Sequence, residues 1–193
     1  VLDDSTIAAK TWTPPRLRIG AVLAVALVAG FVAWLLLRSD TTSKPALQAS
    51  PTPAVATVVP TGRLRGLAAT LGHPLFWAGT RPRMGYELTR TAAGNIFIRY
   101  LPPNARAGDP RPAFLAIGTY PVPDAFARTR TAGKRAGAVV VRLRGGGIAV
   151  YDSARPTSVY FAYPDSKVQV EVFDPNGRTA RNLVASGRIV PIK

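Results

Sequence analysis

The chain contains no cysteine and one histidine, His73, among its 193 residues. Without cysteine there is no disulfide framework and no thiolate metal site, although this suits a cytosolic and an exported domain equally. A Ser-His-acid triad would have to rest on His73 alone, and no serine sits in a Gly-x-Ser-x-Gly elbow. His73 falls between a predicted helix stop and Pro74, a setting for a loop residue bonded to nearby backbone. Acidic residues are scarce as well, with 10 Asp and Glu against 25 Lys and Arg. Beyond residue 61 the carboxylates are Glu87, Asp109, Asp124, Asp152, Asp165, Glu171 and Asp174. They are not spaced as calcium or zinc ligands, and Asp124, Asp165 and Asp174 fall at caps or turns. A glycosidase pair would have to meet from distant strands. "RGGGI" at 144–148 lacks the Lys-Ser/Thr ending and following helix of a phosphate loop, so it reads as a hairpin turn. The expectation is a protein that is not an enzyme and holds no cofactor or metal.

Positive charge is abundant. Arginine supplies twenty of the 25 cations and the formal charge is +15, a balance that persists at any physiological pH. It suits anionic partners: nucleic acid, lipid headgroups or acidic envelope polymers. A GC-rich codon bias would produce the same Arg-, Ala-, Pro- and Gly-heavy composition. Val1 reads either as a translated GUG start or as the first residue of a piece cut from a longer chain.

Residues 19–37, "IGAVLAVALVAGFVAWLLL", carry no charged side chain. As a helix these nineteen residues span roughly 28 Å, close to the ~30 Å hydrocarbon core of a bilayer. A core helix of a soluble domain needs a polar stripe, and this run has none. A cleaved signal peptide has a shorter apolar region ending in small residues, whereas "FVAWLLL" is large and apolar. The run is therefore expected to be a permanent transmembrane anchor, with Trp34, Arg16, Arg18 and Arg38 at its interfaces. Residues 1–18 become a short cytoplasmic tail. Residues 38–61, rich in Ser, Thr, Pro and Ala, become an extended stalk. Such a stalk lifts a domain away from a membrane, which places the N-terminus inside and residues 62–193 outside.

Those 132 residues hold 20 cations against 7 carboxylates, a net of +13. Leu64, Leu67, Ala68 and Leu71 recur at helical spacing behind Thr61 as cap, with Gly72 as stop. Strands are expected at 86–90, 95–101 and 113–120, then a helix at 123–133. Four more strands follow: "AVVVRLR", "GIAVYD", "TSVYFAY" and "VQVEVF". "GGG" at 145–147 and "PDSK" at 164–167 are the hairpin turns. A last helix has Asp174 as N-cap, Pro175 at N1, Leu183 and Val184 inward and Gly187 beyond its end. "RIVPI" closes the chain as an edge strand. The pattern predicts an α+β fold, a mainly antiparallel sheet with two or three helices packed on one face. The segments 86–133 and 138–187 share the order strands-then-helix.

Arginine placement is the one pattern with functional content. Arg81 and Arg83, Arg128 and Arg130, and Arg142 and Arg144 are i, i+2 pairs. On a strand that spacing puts both guanidinium groups on one face, with Val139, Val141 and Leu143 on the other. Lys134 and Arg135 end the preceding helix nearby in sequence. These eight residues are the candidate anion- or partner-binding set, against the plainer reading of a solvated sheet face. Phe97, Arg99 and Tyr160 hint at the interleaved aromatics of nucleic-acid binding, but an external domain rarely meets nucleic acid. The functional expectation is a non-enzymatic, single-pass envelope protein binding an anionic envelope component or a partner protein. The alternatives are a membrane-anchored signalling or sensor protein and an enzyme with an unrecognised site. With a cytoplasmic domain, nucleic acid would return as a partner.

Overall fold

A computed structural model describes residues 56–193. The expected anchor at 19–37, the tail before it and most of the stalk lie outside the described residues. Among the described residues no helix is long and apolar enough to cross a membrane.

Among the described residues there are ten strands and three α-helices. In order they are β1 (Thr57–Val59), α1 (Thr61–Thr70), β2 (Phe76–Trp77), β3 (Gly85–Arg90), β4 (Ile96–Leu101) and β5 (Ala116–Pro121). Then come α2 (Ala125–Ala132), β6 (Ala138–Arg142), β7 (Ile148–Asp152), β8 (Arg155–Ala162), β9 (Val168–Phe173), α3 (Gly177–Ala185) and β10 (Val190–Pro191). Eight strands form one antiparallel sheet in the order β1-β3-β4-β5-β9-β8-β7-β6. β2 and β10 pair separately. The α+β class and the mainly antiparallel sheet agree with the sequence pattern. The fold begins earlier than residue 62, because Thr57–Val59, assigned above to the stalk, pairs with Tyr86–Leu88 as an edge strand.

Alternation sorts the strand residues onto two faces. Ile96, Ile98 and Tyr100 of β4, Ile117 of β5, Val168, Val170 and Val172 of β9 and Phe161 of β8 share the main core. Leu64 of α1, Ala180, Leu183 and Val184 of α3, and Phe76, Trp77, Ile189 and Ile192 close it. The opposite face carries Glu87, Arg99, Ala116, Gly118, Tyr120, Gln169, Glu171, Phe173, Ser158 and Tyr160, which pair with one another across the strands.

The helices do not all pack on one face. α1 and α3 cover the main core, whereas α2 lies on the other side: Gln169 Nε2 donates to Thr129 Oγ1 at 2.8 Å, and Thr129 Oγ1 donates to Ala125 O at 2.8 Å. The reason is phase. Three residues connect β5 to α2 and three connect β9 to α3. β5 ends on Pro121, opposite core residue Val168, while β9 ends on Phe173, opposite Ala116 and Ser158 of the other face. Equal connections from strand ends of opposite phase carry the chain to opposite layers.

Smaller details also differ from the sequence pattern. Asn176, rather than Asp174, caps α3 by accepting from Arg178 N at 3.0 Å, and Asp174 Oδ1 accepts from Asn176 N at 2.9 Å. Pro175 therefore precedes the cap. At α1 the cap position belongs to Pro60, and Thr61 is already helical. β6 stops at Arg142, and a short 3₁₀ turn over Arg144–Gly146 joins it to β7. Gly145 and Gly146 have φ of 75° and 77°, the left-handed region that side-chain-bearing residues disfavour.

Candidate functional site

The eight candidate cations do not form one ridge. Arg81 and Arg83 lie in the turn before β3, where Arg81 N donates to the Tyr86 hydroxyl at 2.9 Å and the Arg81 guanidinium stands 5.3 Å from the Tyr100 ring centre. Arg128 and Arg130 are on α2, where an i, i+2 step turns the side chains about 200° apart; buried Thr129 lies between them. Arg144 has left the strand that carries Arg142. Strand spacing was the wrong ruler for these pairs.

Tertiary structure instead brings two cations at the end of α2 against one on edge strand β6. Arg130 of α2, Lys134 just after it and Arg142 of edge strand β6 surround a shallow cleft of about 570 Å³. Its apolar lining comes from Phe126, Val140 and Ile148, and Val140 is 49% exposed. The helix end sits close to the strand: a Cβ on Gly133 would fall 2.6 Å from Val140 Cγ2. Arg130, Lys134 and Arg142 are the part of the sequence-derived set that the fold brings together, and Arg128, Arg135, Arg144, Arg81 and Arg83 do not line this cleft.

A second cleft, of about 510 Å³, opens on the same face of the sheet at the other end of β9. Along that strand Gln169 bonds α2, Phe173 lines the cleft, and Glu171 stands between them. The walls are Pro112, Phe114, Ala116, Phe173 and Pro175, and the floor is Ser158, Tyr160 and Glu171. Glu171 is 3% exposed. Its Oε1 accepts from Ser158 Oγ at 2.8 Å and from the Tyr160 hydroxyl at 2.7 Å, while Oε2 accepts from the Tyr120 hydroxyl at 2.5 Å. Burial pushes the carboxyl pKa up, and the three hydroxyl bonds oppose that shift without cancelling it. Burial and the neighbouring carboxylate likewise push both phenols well above their ordinary value.

Each cation near this cleft has an acid of its own. Arg99 Nη1 donates to Glu87 Oε1 at 2.8 Å, in a pair whose carboxylate side chain is 1% exposed. Glu87 Oε2 also accepts from Gly108 N at 2.6 Å, and Arg99 Nη2 donates to Asp109 O at 2.8 Å. Glu87 and Arg99 thus tie the loop 102–115 to the sheet. Arg111 pairs with Asp109 at 2.6 Å, which holds the Asp109 carboxyl down at about 2. Arg155 lies 3.8 Å from Asp152. Among the described residues Glu171 has no ion-pair partner.

Sequence reasoning passed over Glu171 because "VQVEV" reads as a strand with a plain mixed face. The available signal was a glutamate in mid-strand within a run otherwise able to be buried on both sides. Phe97 and Arg99 are not free for stacking: Phe97 meets the Tyr120 ring edge-to-face at 5.6 Å, and Arg99 belongs to Glu87. His73 is a loop residue whose Nδ1 lies 3.1 Å from Pro74 O. Among the described residues no group of three or more His, Asp or Glu side chains is arranged to hold a metal ion.

No family model matches the chain, and no curated protein or solved structure matches it either.

Proposed function

We propose that this chain is a single-pass membrane-anchored protein whose basic domain stands outside the membrane as a non-enzymatic binding module. Its partner is an anionic envelope component bearing phosphate or carboxylate groups, held at the cleft between α2 and β6. The observation that carries this reading is the convergence of Arg130, Lys134 and Arg142 on one apolar-floored cleft. Arg130 and Lys134, one helical turn apart, meet Arg142 there only through the fold. Guanidinium forks suit phosphate and carboxylate, and the floor of Phe126, Val140 and Ile148 accepts adjoining apolar atoms. The apolar run at 19–37, the stalk composition and the domain net charge of +13 support the rest.

Pull-down of purified envelope material by the full chain in detergent, at low and high ionic strength, tests the reading. Capture is expected to fall as salt rises, since exposed charges are screened beyond ~10 Å at 0.1 M. The R130E/K134E/R142E variant is expected to lose capture at low salt. Capture indifferent to salt, or undiminished in the triple variant, would overturn it.

The cleft over Glu171 favours a second reading, a membrane-anchored sensor that takes a small ligand.

A further inference from the structure

We propose that the cleft over Glu171 binds a small organic amine with an apolar body, its ammonium seated against the Glu171 carboxylate. This deepens the sensor reading and is independent of the basic cleft beside α2.

A carboxylate buried this deeply is ordinarily paired with a cation. Glu87, on the same face, follows that rule through Arg99. Glu171 does not. Of the cations around the cleft, Arg99 and Arg111 are hydrogen-bonded to Glu87 and Asp109, and Arg155 is exposed and 3.8 Å from Asp152. The three groups aimed at Glu171 are hydroxyls from two strands, Tyr120 of β5 and Ser158 and Tyr160 of β8. They orient its oxygens without supplying charge.

A carboxylate has about four acceptor positions. Ser158 and Tyr160 fill two on Oε1, and Tyr120 fills one on Oε2. One position therefore remains on Oε2, where an N–H of an ammonium makes a charge-assisted bond. Burial disfavours the charged form of Glu171, and an arriving cation offsets that penalty.

The walls specify the rest of the ligand. Pro112 and Phe114 come from the loop 102–115, and Phe173 and Pro175 from the end of β9 and the segment beyond it. Rings and prolines offer apolar contact to a body of few polar atoms. A cleft of about 510 Å³ matches a small molecule and is far too small for a folded partner.

The test uses the full chain in detergent micelles with empty micelles as blank, and three probes of one skeleton: 2-phenylethylamine, 2-phenylethanol and 3-phenylpropionate. Ligand-observed NMR or calorimetry reads binding. The amine is expected to bind at least tenfold more tightly than the alcohol, and the carboxylate not to bind. Glu171→Gln is expected to weaken the amine at least tenfold while changing the alcohol little. Ala116→Trp fills the cleft with Glu171 intact, and is expected to abolish binding of the amine and the alcohol alike. The proposal is overturned if the wild-type chain shows no preference for amine over alcohol, a comparison that needs no variant to fold. It is also overturned if folded Glu171→Gln or folded Ala116→Trp binds the amine as wild type does.

Discussion

Gly118 lies beneath the ring of Tyr120, and the substitution Gly118→Ala tests how that ring reaches Glu171. An added Cβ would sit 2.9 Å from Tyr120 Cε2, 3.0 Å from its hydroxyl oxygen and 3.1 Å from Cζ. Carbon contacts settle at ~3.5–4.0 Å, so the ring must retreat by roughly half an ångström or more. It has little freedom to do so. Tyr120 is buried, its other neighbour Phe97 packs edge-to-face against it, and its hydroxyl is committed to Glu171. Overpacking of a tight core costs about 1–3 kcal/mol. Weakening the bond to a buried carboxyl adds about 1.5–3 kcal/mol at most. Replacing strand glycine by alanine returns about 0.5–1 kcal/mol in chain entropy. The expected net loss is about 2–4 kcal/mol, or roughly 8–16 °C in Tm for a domain of this size. Thermal unfolding of the full chain, followed by near-UV circular dichroism, reads it. The same substitution in a Tyr120→Leu background, where the ring is gone, is expected to cost under about 1 kcal/mol. A loss below about 0.5 kcal/mol in the wild-type background, or an equal loss in both backgrounds, would refute the reasoning.

Three other outcomes are expected, two from the geometry around Glu171 and Glu87 and one from the apolar run at 19–37. Because burial raises the Glu171 pKa in the folded state, its contribution to stability is full below the unfolded carboxylate pKa and is lost as pH rises through the folded one. The Tm of wild type minus that of Glu171→Gln is therefore expected to be most positive in mild acid and to decline toward neutral pH; a difference independent of pH would count against it. Arg99→Met strands Glu87, 1% exposed, with only the Gly108 N–H, and is expected to cost about 3–5 kcal/mol in denaturant unfolding. Adding Glu87→Met is expected to restore much of that loss, because the pair's apolar replacement leaves no buried charge. External protease on intact cells is expected to digest the domain while sparing the 19–37 segment; full protection of the domain would place it inside.

Element type was legible along most of the chain because it is a local property. The alternation of Val168, Val170 and Val172 with Gln169, Glu171 and Phe173 predicts β9, and Leu183 and Val184 mark the inward side of α3. Turn residues at 145–147 and 164–167 predict the hairpins joining β6 to β7 and β8 to β9. These features depend on neighbours a few residues away, so a linear reading captures them. Less of the candidate site was legible. Arg130, Lys134 and Arg142 were named, but i, i+2 spacing joined Arg130 to Arg128 and Arg142 to Arg144 rather than to each other.

By itself the sequence determined the charge, the lack of cysteine, the apolar run, the α+β class and the hairpin succession. Those follow from composition and short-range periodicity. Only the tertiary structure decided that α2 crosses to the second face, because this depends on which way the last residue of β5 points relative to that of β9. It alone decided that Glu171 is buried among three hydroxyls from strands 51 and 11 residues away in sequence for its two tyrosines. A carboxylate's neighbours across a sheet are set by strand order and register, and neither is written in the residues next to it.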